Sequence, residues 1–210
     1  YEPLFEVSGD FYDFFIENDK LKGLALFDVS GHGVSSGLIT MIAKYIVENT
    51  FWQHKEKALH QILETINSQL IKETIDMDNY LTGLLLRIKG ETIEYVNAAH
   101  PDIFFKDGKT GVVHTINMTE NDAKGYFLGI EIMESTYGQK SINLHKGDSL
   151  LLYTDCLDEG YNNKQEPYGK ERIIASFEKS PMNSSSDEHI KNILHDFLLF
   201  TGNKKTDDLT

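Results

Sequence analysis

The sequence predicts an α+β protein with mostly antiparallel sheets covered by helices. Strand patterns and helical patterns come in runs along the chain, whereas a doubly wound fold would alternate strand and helix. The 210 residues are 40% hydrophobic and 11% aromatic, which is enough for a sizeable core. No linker-like stretch divides the chain, so we expect a single domain over residues 1–210.

Two strands open this order. Residues 10–16 are rich in aromatic side chains, and a turn cluster follows at 17–20. Residues 21–29 are apolar on both faces, which is typical of a strand that is buried on both sides. Two strands joined by a short turn predict an antiparallel hairpin.

Helical periodicity takes over at about 34–52 and 57–74, which predicts two amphipathic helices. The apolar stripe of the first is Leu38, Met41, Ile42, Tyr45 and Ile46, and that of the second is Leu59, Ile62, Leu63, Ile66 and Leu70.

The rest of the chain repeats the run of strands followed by helices. Further strands are predicted at 80–88, 92–97, 103–106, 136–144 and 149–154. Helices are predicted at 170–179 and 188–200, with Asp187 as the N-cap of the second.

Charge and cysteine content narrow the classes of function. With 20 basic and 33 acidic residues the net charge is −13, which argues against nucleic acid as the main partner. No stretch has the roughly 18 consecutive apolar residues of a membrane helix. The single cysteine, Cys156, excludes an internal disulfide and fits a reducing compartment, so we expect a cytoplasmic protein.

Several carboxylates occur where predicted strands end. Asp10 opens the first strand, Asp28 lies near the end of the second, Asp155 closes the strand at 149–154, and Asp207 stands near the chain end. An ionised carboxylate at the edge of a core is costly unless it is paired, and hard cations such as Mg²⁺ or Mn²⁺ would neutralise several at once. The alternative is that each aspartate only serves a turn or a cap.

The glycine-rich stretch 31–37 superficially matches a dinucleotide-binding turn. Asp28 would place negative charge beside the expected pyrophosphate, and strand–helix alternation is missing. A steric use of these glycines is favoured, because they let the backbone turn tightly and approach a ligand closely.

Zinc and cysteine chemistry are disfavoured. The eight histidines form no helical pair at ligand spacing, so His32 and His100 are interpreted as hydrogen-bonding or surface residues. Cys156 is followed by Leu157-Asp158-Glu159, whose charge would repel phosphate, which argues against a cysteine nucleophile.

Five motifs in order carry a family resemblance. They are Gly-Asp-Phe-Tyr-Asp (9–13), Asp-Val-Ser-Gly-His-Gly (28–33), Asn-Ala-Ala-His-Pro (97–101), Gly-Asp-Ser-Leu-Leu-Leu-Tyr-Thr-Asp (147–155) and Asp-Asp-Leu-Thr (207–210). Together they resemble the bacterial PPM (PP2C-like) serine/threonine phosphatases of the SpoIIE/RsbU type.

The resemblance implies an α-β-β-α sandwich that holds two Mn²⁺ or Mg²⁺ ions. By motif, Asp28 resembles the carboxylate that bridges both ions, and Val29 the residue that offers a backbone carbonyl. Asp155 and Asp207 resemble the other direct ligands, and Asp10 resembles the first acidic motif, which in the family binds a metal directly or through water.

The activity implied is hydrolysis of a phosphoserine or phosphothreonine on a regulatory protein that resembles an anti-sigma-factor antagonist. A metal-bridging water would attack phosphorus in line, without a phosphoenzyme. Such domains follow sensory or dimerising segments, so we expect a fragment of a longer regulatory protein, with the helices at 34–52 and 57–74 as switch elements.

Two departures motivate an alternative, a weak or inactive PPM-like domain that acts as a signalling or binding module. Cys156 and Ala99 stand where the family usually has glycine. If Cys156 needed positive φ, the strain would cost about 1 kcal/mol or more.

Overall fold

The computed structural model describes residues 1–4, 8–31, 33–74, 77–116, 125–131, 136–182 and 184–210. The strands of these residues are β1 Asp10–Glu17, β2 Lys20–Val29, β3 Leu81–Lys89, β4 Thr92–Ala98, β5 Ile103–Lys106, β6 Val113–Ile116, β7 Gln139–Asn143 and β8 Ser149–Leu151. The helices are α1 Val34–Gln53, α2 Leu59–Glu73, α3 Asp155–Glu159, α4 Gly169–Lys179 and α5 Ser186–Thr201.

The chain divides into two compact units, each named here after one of its aspartates. The Asp28 unit comprises Phe5–His100, Met118–Asn143 and Thr210. The Asp155 unit comprises Tyr1–Leu4, Pro101–Asn117 and Leu144–Leu209. Among the described residues, no helix is both long and apolar enough to cross a membrane.

The Asp28 unit is built on an antiparallel sheet of order β1-β2-β3-β4-β7. The predicted hairpin is confirmed, because β1 pairs with β2 from Asp10 opposite Asp28 to Glu17 opposite Lys20. Helices α1 and α2 pack on the sheet, and the rings of Phe15 and Phe51 stack with centroids 4.1 Å apart. The two helices thereby cover one face of the sheet.

The apolar stripe predicted for α1 is wrong for three of its five residues. Leu38, Met41 and Tyr45 are 55%, 72% and 70% exposed, whereas Ile46 is buried and Ile42 packs against the core. The rest of the buried apolar face is formed by Ile39, Ala43, Val47 and Phe51. Helix α1 has apolar residues around most of its circumference, so periodicity alone cannot select the face that meets the sheet. In α2, the predicted stripe is fully buried and the prediction is confirmed.

The Asp155 unit contains a second antiparallel sheet, of order β6-β5-β8, and helices α3 to α5. Its core includes the stacked rings of Phe104 and Tyr153, with centroids 5.4 Å apart. Lys106 is buried and its ammonium donates to the carbonyls of Phe177 and Ser180, at 2.7 and 2.6 Å. The ammonium thereby satisfies carbonyl groups at the C-terminal end of α4.

Three local predictions in this unit are wrong. Asp155 does not close a strand; β8 ends at Leu151 and Asp155 is the first residue of α3. Strand β6 was missed, because only one of its four residues is buried and it therefore lacks a clear apolar pattern. The N-cap of α5 is Ser185 rather than Asp187, because Glu188 N donates to Ser185 Oγ and Ser185 N donates to the Glu188 carboxylate.

Candidate metal centre

Three polar residues form a row across the sheet of the Asp28 unit. Asp10 of β1 lies directly opposite Asp28 of β2, and Asp28 lies directly opposite Thr82 of β3. Directly opposed residues share a face, with Cβ atoms about 4.5–5.5 Å apart. The two predicted carboxylate ligands of this unit are therefore neighbours, although Asp10 is only 3% exposed.

The backbone before Asp10 is tied to both β2 and α1. Val29 N donates to the carbonyl of Gly9 at 3.2 Å, and Thr40 Oγ1 donates to the same carbonyl at 3.0 Å. A Cβ at Gly9 would stand 2.8 Å from the carbonyl oxygen of Val29. Glycine is therefore required here for the close approach of the two strands.

The turn after Asp28 is held from the start of β3. Ser30 N donates to the carbonyl of Tyr80 at 2.8 Å, and Asn79 Nδ2 donates to the carbonyl of Ser30 at 2.6 Å. Gly31 and Gly33 have φ of 84° and 88°, which confirms that these glycines let the backbone turn tightly. His32 lies outside the described residues.

The Asn-Ala-Ala-His motif presents a buried imidazole to the same row. His100 is fully buried, and its Nδ1 lies 2.8 Å from Thr82 Oγ1. Its backbone N donates to Asn97 Oδ1 at 2.8 Å, and its carbonyl accepts from Asn97 Nδ2 at 3.1 Å. The interpretation of His100 as a hydrogen-bonding residue is confirmed.

Ala99 and Cys156, the two departures from the family pattern, differ in backbone conformation. Ala99 has φ of 52°, a conformation that favours glycine. Cys156 lies within α3 and is not among the non-glycine residues with positive φ, so it carries no such strain. Its buried thiol donates to the carbonyl of Asp207 at 3.3 Å. Burial raises the pKa of this thiol to about 11, which supports the exclusion of a cysteine nucleophile.

The carboxylates of the Asp155 unit crowd one another. Burial, followed by the charges of Glu159 and Asp207, raises the pKa of Asp155 to about 6. The backbone at Asp207 and Asp208 is held, because Asp208 N donates to Asp207 Oδ1 and Leu4 N donates to Asp208 Oδ1. A cation near Asp155 would relieve this unfavourable charge.

The donors fit a hard divalent cation in their chemistry, since they are carboxylate and carbonyl oxygens without a thiolate. Each unit contains two of the four predicted carboxylates, Asp10 with Asp28 and Asp155 with Asp207. Within the described part of the chain, no group of three or more His, Cys, Asp or Glu side chains is arranged to hold a metal ion.

Sequence reasoning missed Thr82 and Glu159 as parts of these sites, and it gave no role to Asn97. Thr82 could have been noticed, because it is the one polar side chain in the stretch from Leu81 to Leu86. The pairing of Asn97 with His100 depends on a turn geometry that the sequence does not specify.

Comparison with known proteins identifies the family. The family model described as Stage II sporulation protein E (SpoIIE) matches residues 18–210. The chain is 30% identical over 159 residues to the phosphoserine phosphatase RsbP of Bacillus subtilis, an alignment that covers 74% of this chain and 38% of RsbP. The chain thus corresponds to less than half of the length of that relative.

Solved structures confirm the fold. The SiaA-PP2C domain of Pseudomonas aeruginosa superposes with a TM-score of 0.82 at 17% identity, over 99% of this chain and 80% of that one. The catalytic domain of the serine/threonine phosphatase PstP, in complex with 2 manganese ions, superposes with a TM-score of 0.65 at 15% identity, over 100% and 92% of the two chains. The predicted PP2C-like α+β fold and the resemblance to PPM phosphatases are both confirmed. The chain belongs to the SpoIIE family, whose PPM phosphatase domain it contains.

Proposed function

We propose that this chain is a metal-dependent protein serine/threonine phosphatase that binds two Mn²⁺ or Mg²⁺ ions. Asp10, Asp28, Asp155 and Asp207 would supply carboxylates, and Val29 would supply a backbone carbonyl. The assignment of these five residues rests on the motifs and on the family. Family membership and the phosphatase named among its relatives support the activity.

One observation carries the proposal. Asp10 and Asp28 lie opposite each other on neighbouring strands, at a separation that the sheet itself sets. Two carboxylates held side by side repel each other, and a divalent cation between them can neutralise both. Because the β1–β2 ladder fixes both carboxylates before any ion binds, the pair can bind a divalent ion without a rearrangement of the backbone.

The residues would act by binding and orienting rather than by covalent attack. Divalent ions in such a site supply an acidified water for in-line attack on phosphorus and neutralise the phosphoryl oxygens. Asp10 and Asp28 would hold their oxygens in place through the β1–β2 ladder. Asp155 would be ionised when metal is bound, because the ion would offset the burial and the neighbouring charges that raise its pKa.

The proposed substrate is a phosphoserine or phosphothreonine on a regulatory protein that resembles an anti-sigma-factor antagonist. The similarity to RsbP, a phosphoserine phosphatase, supports a phosphoprotein substrate. An upstream sensor or dimerisation segment is a further proposed partner, because the chain covers only 38% of that relative.

The test measures hydrolysis of p-nitrophenyl phosphate and of a phosphoserine peptide, with Mn²⁺ and with EDTA. We expect metal-dependent turnover that falls at least about 100-fold in Asp28→Asn, since a ligand of the metal is lost. Asp187→Asn is the matched control, because Asp187 is exposed in the first turn of α5 and should leave turnover unchanged. Equal turnover in wild type and Asp28→Asn would contradict the proposal.

The second candidate is a weak or inactive PPM-like domain that acts as a signalling or binding module. It is favoured by the absence, among the described residues, of three converging metal-binding side chains. A wild-type chain that binds Mn²⁺ weakly and shows no metal-dependent turnover on either substrate would select this candidate. Ordinary enzymatic rates would exclude it.

A further inference from the structure

We propose that Thr82 and His100 are positioning residues for the Asp28 carboxylate, and that their hydrogen bond sets the affinity of the site for its divalent cation. This inference rests on the proposed function, because it takes Asp28 to be a metal ligand. Neither residue belongs to the predicted ligand set.

Asp28 has one cross-strand neighbour on each side. Asp10 flanks it from β1, and Thr82 flanks it from β3. All three side chains share one face of the sheet, with Cβ atoms of neighbours about 5 Å apart. The side chain of Thr82 therefore limits the positions that the Asp28 carboxylate can adopt on this face.

His100 restricts the position of the Thr82 side chain. Threonine is branched at Cβ and has few accessible rotamers, and the 2.8 Å contact with His100 Nδ1 favours one of them. The hydroxyl carries one proton and two lone pairs. A ring that donates from Nδ1 leaves the hydroxyl proton for a neighbouring acceptor, whereas a ring that accepts there takes this proton.

The backbone of His100, from which the imidazole projects, is held at both its N–H and its carbonyl. Asn97 accepts from the backbone N of His100 and donates to its carbonyl, so the two residues form a closed pair of hydrogen bonds. Ala99 between them has φ of 52°, a conformation that is strained for a residue with a Cβ. Strain of this kind is typical of functional sites, where the surrounding structure enforces it.

The expected consequence is on metal affinity. Partners that orient a metal ligand typically change metal affinity or activity about 10- to 100-fold when they are removed. Loss of the Thr82 hydroxyl removes the contact that fixes the side chain next to Asp28 and leaves all four carboxylates in place. Binding should therefore weaken more than turnover at saturating metal.

The test compares Thr82→Val, which keeps the shape and removes the hydroxyl, with Thr82→Ser, which keeps the hydroxyl. Thr92→Val is the matched control, because Thr92 Oγ1 donates to Asn143 Oδ1 at 2.9 Å at the far end of the same sheet. Each variant is titrated with Mn²⁺ alone by calorimetry. Metal-free thermal unfolding and turnover at saturating Mn²⁺ are measured in parallel.

We expect Thr82→Val to weaken Mn²⁺ binding about tenfold, with Thr82→Ser and Thr92→Val within about threefold of wild type. Turnover of Thr82→Val at saturating Mn²⁺ should stay within about threefold of wild type. Unchanged Mn²⁺ affinity in Thr82→Val, or an equal loss in Thr92→Val, would overturn the inference.

A double-mutant cycle gives a second readout. If the two residues act through one hydrogen bond, His100→Gln should add little to the loss of Mn²⁺ affinity already caused by Thr82→Val. Fully additive losses would count against the pair. A wild-type chain that binds Mn²⁺ but does not hydrolyse phosphoesters would refute the proposed function and leave this inference standing.

Discussion

The two units hold their predicted carboxylates by different physical means. In the Asp28 unit, Asp10 and Asp28 are fixed by the β1–β2 ladder and by a carbonyl at Gly9 that accepts two hydrogen bonds. In the Asp155 unit, Asp155 opens a helix of 5 residues, and burial together with its acidic neighbours raises its pKa to about 6. Backbone geometry therefore places Asp10 beside Asp28, whereas Asp155 is buried close to other negative charges.

This difference predicts different sensitivities in the metal-free protein. A pair fixed by close backbone contact should respond to added volume, because the neighbouring strand cannot move away cheaply. A carboxylate with a raised pKa should respond to pH and to loss of its charge. Substitutions in each unit can therefore separate the two effects.

The largest expected effect is that of Asp155→Asn. Loss of this carboxylate should reduce Mn²⁺-dependent turnover at least about 100-fold, because a proposed ligand is removed. In EDTA at pH 7.5, the same variant should be more stable than wild type by about 1–3 kcal/mol, since one pKa unit corresponds to about 1.4 kcal/mol. Turnover assays and denaturant unfolding measure the two outcomes.

Glu159→Gln is the companion to this variant. It removes a charge that raises the pKa of Asp155 and leaves Asp155 in place. The metal-free protein should gain stability in Glu159→Gln, but less than in Asp155→Asn, because burial is the larger cause of the shift. A metal-free Asp155→Asn protein that is less stable than wild type would show that charge crowding does not operate in this unit.

The next effect is the pH dependence that Asp155 imposes. Its folded pKa of about 6 lies above its ordinary value of 3.8, so the folded metal-free chain binds more protons between these pH values. Its stability contribution should therefore fall as pH rises from about 4 to 6, and the full penalty is present above 6.

Metal binding should show the opposite trend, because the ligand must lose its proton. The affinity for Mn²⁺ should fall by up to about tenfold for each pH unit below 6. Calorimetric titrations from pH 5 to 7.5 measure this slope. A flat profile through pH 6 would argue against Asp155 as a ligand.

In the Asp28 unit, Gly9→Ala tests placement by backbone geometry. The added Cβ would stand 2.8 Å from the carbonyl oxygen of Val29 and 3.3 Å from that of Gly31. We expect a loss of about 1–3 kcal/mol in the free energy of unfolding, as for other overpacked sites. Mn²⁺ affinity should fall as well, because the proposed Val29 ligand is displaced. Unfolding with and without Mn²⁺ measures the loss of stability and the loss of Mn²⁺ affinity. A Gly9→Ala variant as stable as wild type would contradict a close contact between residue 9 and the Val29 carbonyl.

Much of the fold was predictable because hydrophobic periodicity reports burial directly. The β1–β2 hairpin and the buried face of α2 both followed from local patterns. The orientation of α1 did not, since Leu38, Met41 and Tyr45 are as apolar as the residues that the sheet covers. Selection between two apolar faces is a tertiary effect that no local pattern contains.

The site was predictable in its residue types but not in its supporting contacts. Asp10 and Asp28 were identified from their positions at strand ends, and their register follows from the hairpin. Thr82 lies beside Asp28 only because β2 pairs with β3, and these two strands are distant in sequence. The position of Asp155 at the start of α3 depends on where β8 ends. Only three residues of β8 pair with β5, so the chain leaves the sheet before it reaches Asp155.

The smallest expected effect concerns the two residues that stand where the family has glycine. Ala99→Gly should stabilise the protein by about 0.5–1 kcal/mol, because relief of a positive φ exceeds the entropy cost that glycine adds. Cys156→Gly should instead destabilise it, because Cys156 is buried within α3 and glycine is a poor helix former. Denaturant unfolding of the metal-free variants measures both signs. If both substitutions changed stability in the same direction, backbone conformation would not distinguish these two sites.

The Ala99→Gly variant also bears on His100, since glycine loosens the turn that holds the His100 backbone. A gain in stability accompanied by weaker Mn²⁺ binding would show that strain at residue 99 is retained for the position of His100.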